Sequence, residues 1–179
     1  YRRADRVVVP SGDMRRHVIA GGVRPDRVVV IPNWIDTASV HPVKQNNAFR
    51  QRHELNGQFV VMYSGNLGLC QRLEDVIAAA ECLRRRADIV FLLVGGGALQ
   101  RPLEARAAEL GLGNVRFLPY EPKPRLAESL SAADVHLVPL DPDVAACLMP
   151  SKLYGVLASG TPLLAVAPES SDLAELTPT

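Results

Sequence analysis

Residues 59–68 read FVVMYSGNLG, an apolar run from Phe59 to Tyr63 that breaks into Ser64, Gly65, Asn66, Leu67 and Gly68. The run predicts a strand, and the glycine loop after it predicts a turn into a helix. That helix follows at once, because Leu73, Val76, Ile77, Ala80 and Leu83 recur on one helical stripe. Downstream the unit repeats. Ile89 to Val94 is a continuous apolar run, the pattern of a strand covered on both faces. Gly95-Gly96-Gly97 leads to a second stripe, Leu99, Leu103, Ala107 and Leu110, ended by Gly111. Val115 to Leu118 predicts a strand, and Pro124 suits the first turn of a helix carrying Leu126 and Leu130. Val135 to Val138 is the next strand, Leu153 and Leu157 mark a helix, and Leu163 to Val166 is the last strand. Five strands alternating with helices imply an α/β fold, a doubly wound parallel sheet with right-handed crossovers.

Upstream, Val7-Val8-Val9 predicts a strand, Ser11 an N-cap, and Met14, Val18 and Ile19 a helix stopped by Gly21-Gly22. Val28 to Ile31 predicts another strand. From Pro32 to about Asn47 the composition turns to Pro, Asn, Asp and Thr, which reads as a linker. The expected organisation is a strand-helix-strand unit over 1–36, a linker over 37–47, and a main domain over 48–179 opened by a helix around Ala48 to Leu55. Trp34 is expected to pack across the junction, with an exposed interface aromatic as the other reading. The chain starts at Tyr1 rather than Met and stops at Thr179 just after a helix begins, so both ends are expected to be cuts.

A length of 179 residues and 47% hydrophobic content suit one well-cored domain plus a remnant of another. The formal net charge of +1 leaves no global field to attract nucleic acid, membrane or acidic partners. Arg84-Arg85-Arg86 reads as a solvated helix end rather than an anion site. Cys70, Cys82 and Cys147 are too widely spaced for a metal or redox motif, which points to a reducing, cytosolic compartment. No apolar stretch approaches membrane-spanning length, and no signal peptide is present.

In an open parallel sheet, ligands bind beyond the carboxyl ends of the strands. The loops there are 64–68, Gly95-Gly96-Gly97, Pro119-Tyr120-Glu121, Pro139 to Lys152, and 168–172. Glycine loops that feed helices let backbone approach a phosphate, but tight turns need glycine for steric reasons as well, and both readings stay open. The Rossmann fingerprint and the Walker loop are both absent. Pro150-Ser151-Lys152 is sharper, because Ser151 is an N-cap candidate and a cation in a helix's first turn opposes the dipole unless an anion joins it. The alternative is a solvent-facing lysine. His17, His41, His53 and His136 form no catalytic or metal-binding group by spacing, and Asp141 with Asp143 reads as an exposed loop.

The order of these pieces resembles family 4 retaining glycosyltransferases of the GT-B fold. ADRVVVPS and DRVVVIPNWID resemble the end of the family's N-terminal domain, while YSGNL, LLVGGG, VRFLPY and PSKLYGVLASGTPLLA resemble the landmarks of its donor-binding domain. The likeness runs from about Ala4 to Glu175 and is greatest to the bacterial branch that builds capsule, colanic acid and O-antigen.

The resemblance implies transfer, with retention, from a UDP- or GDP-linked sugar to a saccharide or lipid-linked acceptor in cell-surface polysaccharide biosynthesis. It implies a hexosyl- or N-acetylhexosaminyl-type parent enzyme, cytoplasmic or peripheral at the inner face of the membrane, with no metal and no other cofactor. Gly65 and Asn66 would lie at the diphosphate, and Gln71 stands where relatives place a lysine. Gly95 and Gly97 would border the nucleoside, with Leu118, Pro119 and Tyr120 around the base. Ser151 and Lys152 would meet the phosphates or the sugar, and Glu169 and Asp172 would sit at the pocket mouth. The acceptor pocket and the catalytic residues would lie largely on the missing N-terminal domain, so the fragment alone is expected to be inactive. Two departures stand out. Cys147 and Gly155 replace the family's two glutamates, and the basic pair at the diphosphate is missing. A GT-B sugar-nucleotide 2-epimerase and a non-enzymatic α/β binding module remain as other readings.

Overall fold

A computed structural model describes residues 1 and 3–177. Two parallel sheets form. The smaller pairs β1 (Val7–Val9) with β2 (Val28–Val30), joined by α1 (Gly12–Ala20). Ser11 caps α1 by accepting a hydrogen bond from the Met14 N–H, and Val7, Val9, Val18, Val23 and Val28 make this unit's own small core. The second predicted strand is one residue shorter than expected, although the Ile31 N–H still donates to the Val9 carbonyl.

After α2 (Ala48–Arg52) come β3 (Phe59–Ser64), α3 (Leu73–Cys82), β4 (Ile89–Val94), α4 (Gln100–Glu109) and β5 (Val115–Leu118). Then follow α5 (Leu126–Ser131), β6 (Val135–Pro139), α6 (Lys152–Ala158), β7 (Leu163–Val166) and α7 (Asp172–Leu176). The five strands β3 to β7 form one parallel sheet in the order β5-β4-β3-β6-β7. The first helix of this part stops at Arg52 rather than near Leu55, because Glu54 turns with a positive φ and sends Leu55 into the core.

Alternate residues of a strand point to opposite faces, and here both faces are covered. Val61, Tyr63, Phe91 and Leu93 pack on α3 and α4 with Leu73, Ile77 and Leu103. Val60, Met62, Val90 and Leu92 pack on the other face with Phe49, Leu55 and Ala132. The apolar runs are continuous for that reason. A third cluster joins Val138 and Leu140 to Leu153 of α6 and Leu173 of α7. Trp34 corrects its expectation. It is 81% exposed and packs across nothing among the described residues.

Candidate functional site

The strand order reverses between β3 and β6. The first crossovers run from β3 through β4 to β5 on one side, and the later ones place β6 and β7 on the other. The loops leaving β3 and β6 therefore diverge, and a crevice opens between them at the carboxyl end of the sheet. It is a cleft of about 350 Å³. Ser64, Gly65, Asn66 and Gln71 line it from β3, and Pro139, Leu140 and Leu148 to Lys152 from β6. Leu126, Leu130, Gly155 and the linker residue Ile35 complete the wall. Such a volume and mixed lining suit a small-molecule site.

Lys152 is the centre of it. Its Nζ lies 3.5 Å from the centroid of the Tyr63 ring and is buried without a hydrogen-bond partner. Burial disfavours the charged amine, whose pKa is pushed down to about 7. Gln71 Oε1 is likewise buried and unpartnered. Buried polar atoms are nearly always paired, and this cleft presents one unpartnered donor, Lys152 Nζ, and one unpartnered acceptor, Gln71 Oε1. Tyr63 is fully buried, and its hydroxyl donates to the Asn66 carbonyl at 2.6 Å. Burial first, and then the neighbouring Tyr120, raise its pKa, so it stays a neutral donor that fixes the loop.

Ser151 corrects one expectation, since its side chain makes no cap hydrogen bond and its backbone is already helical. Pro150 and Ser151 form a tight entry to α6 instead, which turns Lys152 inward rather than to solvent.

The glycine loops have a steric cause. The Gly65 N–H donates to the Val94 carbonyl, the Leu67 N–H to Gly96 and the Leu99 N–H to Leu67, so the two loops continue the β3–β4 pairing as backbone. A Cβ on Gly95, at φ +147°, would lie 2.0 Å from the Gly65 carbonyl oxygen, and one on Gly97 would lie 2.5 Å from that of Leu67. Neither residue lines the cleft. Gly65 does, and a Cβ there would sit 3.0 Å from the Lys152 amine.

Of the residues singled out from the sequence, Gly65, Asn66, Gln71, Ser151 and Lys152 come together in the cleft. Leu118, Pro119 and Tyr120 lie beyond the Gly95 loop, with the exposed Tyr120 hydroxyl donating to the Gly96 carbonyl at 3.3 Å. Glu169 is exposed, and the Asp172 carboxylate turns away to accept from the Asp13 N–H at 2.8 Å. Cys147 is exposed outside the lining. Gly155 lines the cleft, and a Cβ there would stand 3.1 Å from Leu130 Cδ1, so its room is limited. Tyr63 was not singled out. Its one signal was a hydroxyl at the end of an otherwise apolar run. Nor were Ile35, Leu126 and Met149, which reach the cleft only through tertiary packing. Among the described residues, no group of three or more His, Cys, Asp or Glu could hold a metal ion. No helix there is long and apolar enough to cross a membrane.

Residues 45–171 match the family described as glycosyl transferases group 1, and residues 1–39 match glycosyltransferase family 4. WcaI of Escherichia coli K12, provisionally named a colanic acid biosynthesis glycosyl transferase, is 33% identical over 175 residues, 96% of this chain and 43% of that protein. The D-inositol 3-phosphate glycosyltransferase of Nocardia farcinica is 33% identical over 177 residues, 90% of this chain and 37% of that protein. The chain thus spans less than half the length of these relatives. Among solved structures, Anabaena HepE in complex with UDP-glucose superposes with a TM-score of 0.82 at 20% identity, over 99% of this chain and 49% of that one. That likeness is one of fold.

Proposed function

This chain belongs to the glycosyl transferases of group 1, and from that premise we propose that its cleft holds the diphosphate of a nucleotide-sugar donor. The observation that carries the reading is the unpartnered amine of Lys152, buried on a cleft at the sheet's switch point, with the Gln71 amide on the same wall. A diphosphate supplies acceptors for the amine, and the Asn66 side chain and the backbone at Gly65 stand beside it. Charge that develops on the departing diphosphate is stabilised by such preorganised donors. Tyr120 and the Gly95 loop form the neighbouring shelf for the base, with Leu118 and Pro119 behind it.

In this reading the donor is UDP-linked, in keeping with the UDP-glucose complex of HepE. The reaction is retaining transfer in cell-surface polysaccharide assembly, in keeping with the name given to WcaI. The parent is a cytoplasmic enzyme whose acceptor pocket and catalytic residues lie largely on another half. Residues 1–36 belong to that half and 37–47 join the two; the meeting of the two family matches between residues 39 and 45 supports the division.

Calorimetry with UDP, GDP, their sugars and uridine, in the presence and absence of chelator, tests the reading beside a product assay. UDP should bind, weakly and without metal, and the chain alone should transfer no sugar. Absence of binding by either nucleotide would refute it. Epimerised donor, rather than transferred sugar, from the longer enzyme would move the function to a 2-epimerase.

A further inference from the structure

The Lys152 amine has no counter-charge. Around it stand Tyr63 of β3, whose ring face it covers, and Gly65, 3.0 Å from it at a Cβ position. From β6, the buried His136 has its pKa lowered by burial, and its Nε2 meets the Leu130 carbonyl at 2.8 Å. Tyr120 stands beyond the Gly95 loop, Leu126 and Leu130 of α5 carry no charge, and Gln71 is neutral. No acid among the described residues pairs with the amine; Asp141 accepts from the Asp143 N–H and Glu128 pairs with Arg52. An aromatic face attracts an ammonium, but only by part of what burial costs it. Without its diphosphate the amine therefore carries its charge in only part of the molecules at neutrality and loses it above, with a pKa of about 7.

We propose that the cleft binds its diphosphate together with a proton, the amine of Lys152, held against the Tyr63 ring, being protonated as the phosphates arrive. The inference rests on the donor-cleft reading above. The proton comes from solvent, the nitrogen lone pair accepts it, and no other bond forms or breaks. Tyr63 is a positioning residue here, acting through its ring face rather than its hydroxyl. The consequence is a donor affinity that falls as pH rises above neutrality.

The chain has three lysines, Lys44, Lys123 and Lys152, so their Cε resonances can be followed singly. In the ligand-free chain the Lys152 resonance should titrate near neutrality, about 7. Its titration at the ordinary lysine value of about 10.4 would overturn the proposal. UDP is then titrated calorimetrically at pH 8 in two phosphate-free buffers of different ionisation enthalpy. Its terminal phosphate, with a second ionisation near about 6, is already fully ionised there. Nearly one proton should be taken up per UDP bound and none per uridine, and affinity should fall about tenfold per pH unit from 8 to 9. Lys152→Arg should bind with no uptake and no pH slope, because its guanidinium never discharges. Tyr63→Phe should titrate like the wild type, since it keeps the ring. Buffer-independent heat on UDP binding would remove the proton coupling and leave the donor cleft standing. Failure of both UDP and GDP to bind would take down both.

Discussion

At its two ends the strand pair β3–β6 treats a cationic side chain in opposite ways. At the amino end, Arg50 donates to the carbonyls of Ala132, Leu55 and Gln58 and pairs with Asp134, whose carboxylate also accepts from the Val60 N–H at 2.7 Å. Asn47 caps α2 there and ties it to the Val43 and Glu128 carbonyls. At the carboxyl end the Lys152 amine is held without a partner, whereas Gln58 Oε1, a buried atom left unpartnered at the amino end, is neutral. Satisfied networks specify a fold, whereas unsatisfied groups cost stability and persist where something else repays the cost. The amino end is built to hold, and the carboxyl end to receive.

The largest effect should show that the receiving end is nevertheless rigid in its backbone. Gly95→Ala puts a Cβ 2.0 Å from the Gly65 carbonyl oxygen at a φ that L residues avoid. Strain and overpacking together should cost about 3–5 kcal/mol in urea denaturation and abolish UDP binding. A loss below about 1 kcal/mol would mean that the two loops separate freely and the cleft is soft throughout. Next comes the holding end. Arg50→Met takes the side-chain donor from the Ala132 and Gln58 carbonyls, leaves that of Leu55 only its bond from the Gln58 N–H, and should cost about 3 kcal/mol, with UDP affinity unchanged once the protein is folded. Any loss of affinity beyond that due to unfolding would erase the division between the two ends.

Lys152→Met should act in the reverse sense. UDP affinity should drop about ten- to a hundredfold, the value of a charge-assisted hydrogen bond, while uridine is unaffected. Stability without ligand should rise. The sign follows from the lowered pKa, about 7 in the fold against about 10.4 unfolded. Between these values the unfolded chain binds more protons, so wild-type stability climbs with pH across that window. The advantage of the methionine variant should be greatest below pH 7 and shrink towards pH 10. Equal stabilities across that range would mean that the amine is solvated.

These contrasts also mark how far the sequence could be read. The strands were legible because β3 and β4 are covered on both faces and their apolar runs do not alternate, and the glycine loops because βα turns need them. The order β5-β4-β3-β6-β7 was not, since pairing is settled by where the crossovers dock. Lys152 was visible as a cation opposing its helix dipole. Its seat on Tyr63 was not, because a contact across 89 positions leaves no local pattern. Gly95 and Gly97 kept two readings in the sequence because a glycine that meets backbone and one that meets a ligand look alike.

The smallest expected effect concerns the junction between the small sheet and the large one. The Asp13 N–H donates to Asp172 Oδ2 at 2.8 Å, and the Asp172 N–H donates to Asp13 Oδ2 at 2.7 Å. Each carboxylate thus serves the first turn of the other's helix, α1 or α7, and Arg16 meets both acids. Two like charges face each other across this exchange, so the benefit of the caps is partly offset. Asp172→Ala should therefore cost only about 1 kcal/mol. The position of the change is more telling than its size. The Asp13 amide should exchange with deuterium several-fold faster, while amides of β3 and β4 keep their protection, because the clasp ties one helix of the small unit to one of the large. Asp13→Ala should cost a similar amount, and the double variant less than the sum of the two, since each single change already breaks the exchange. Additive losses, with an unchanged Asp13 exchange rate in Asp172→Ala, would show that packing alone holds the small sheet against the large and that the polar clasp contributes nothing. The junction would then resemble neither end of β3–β6.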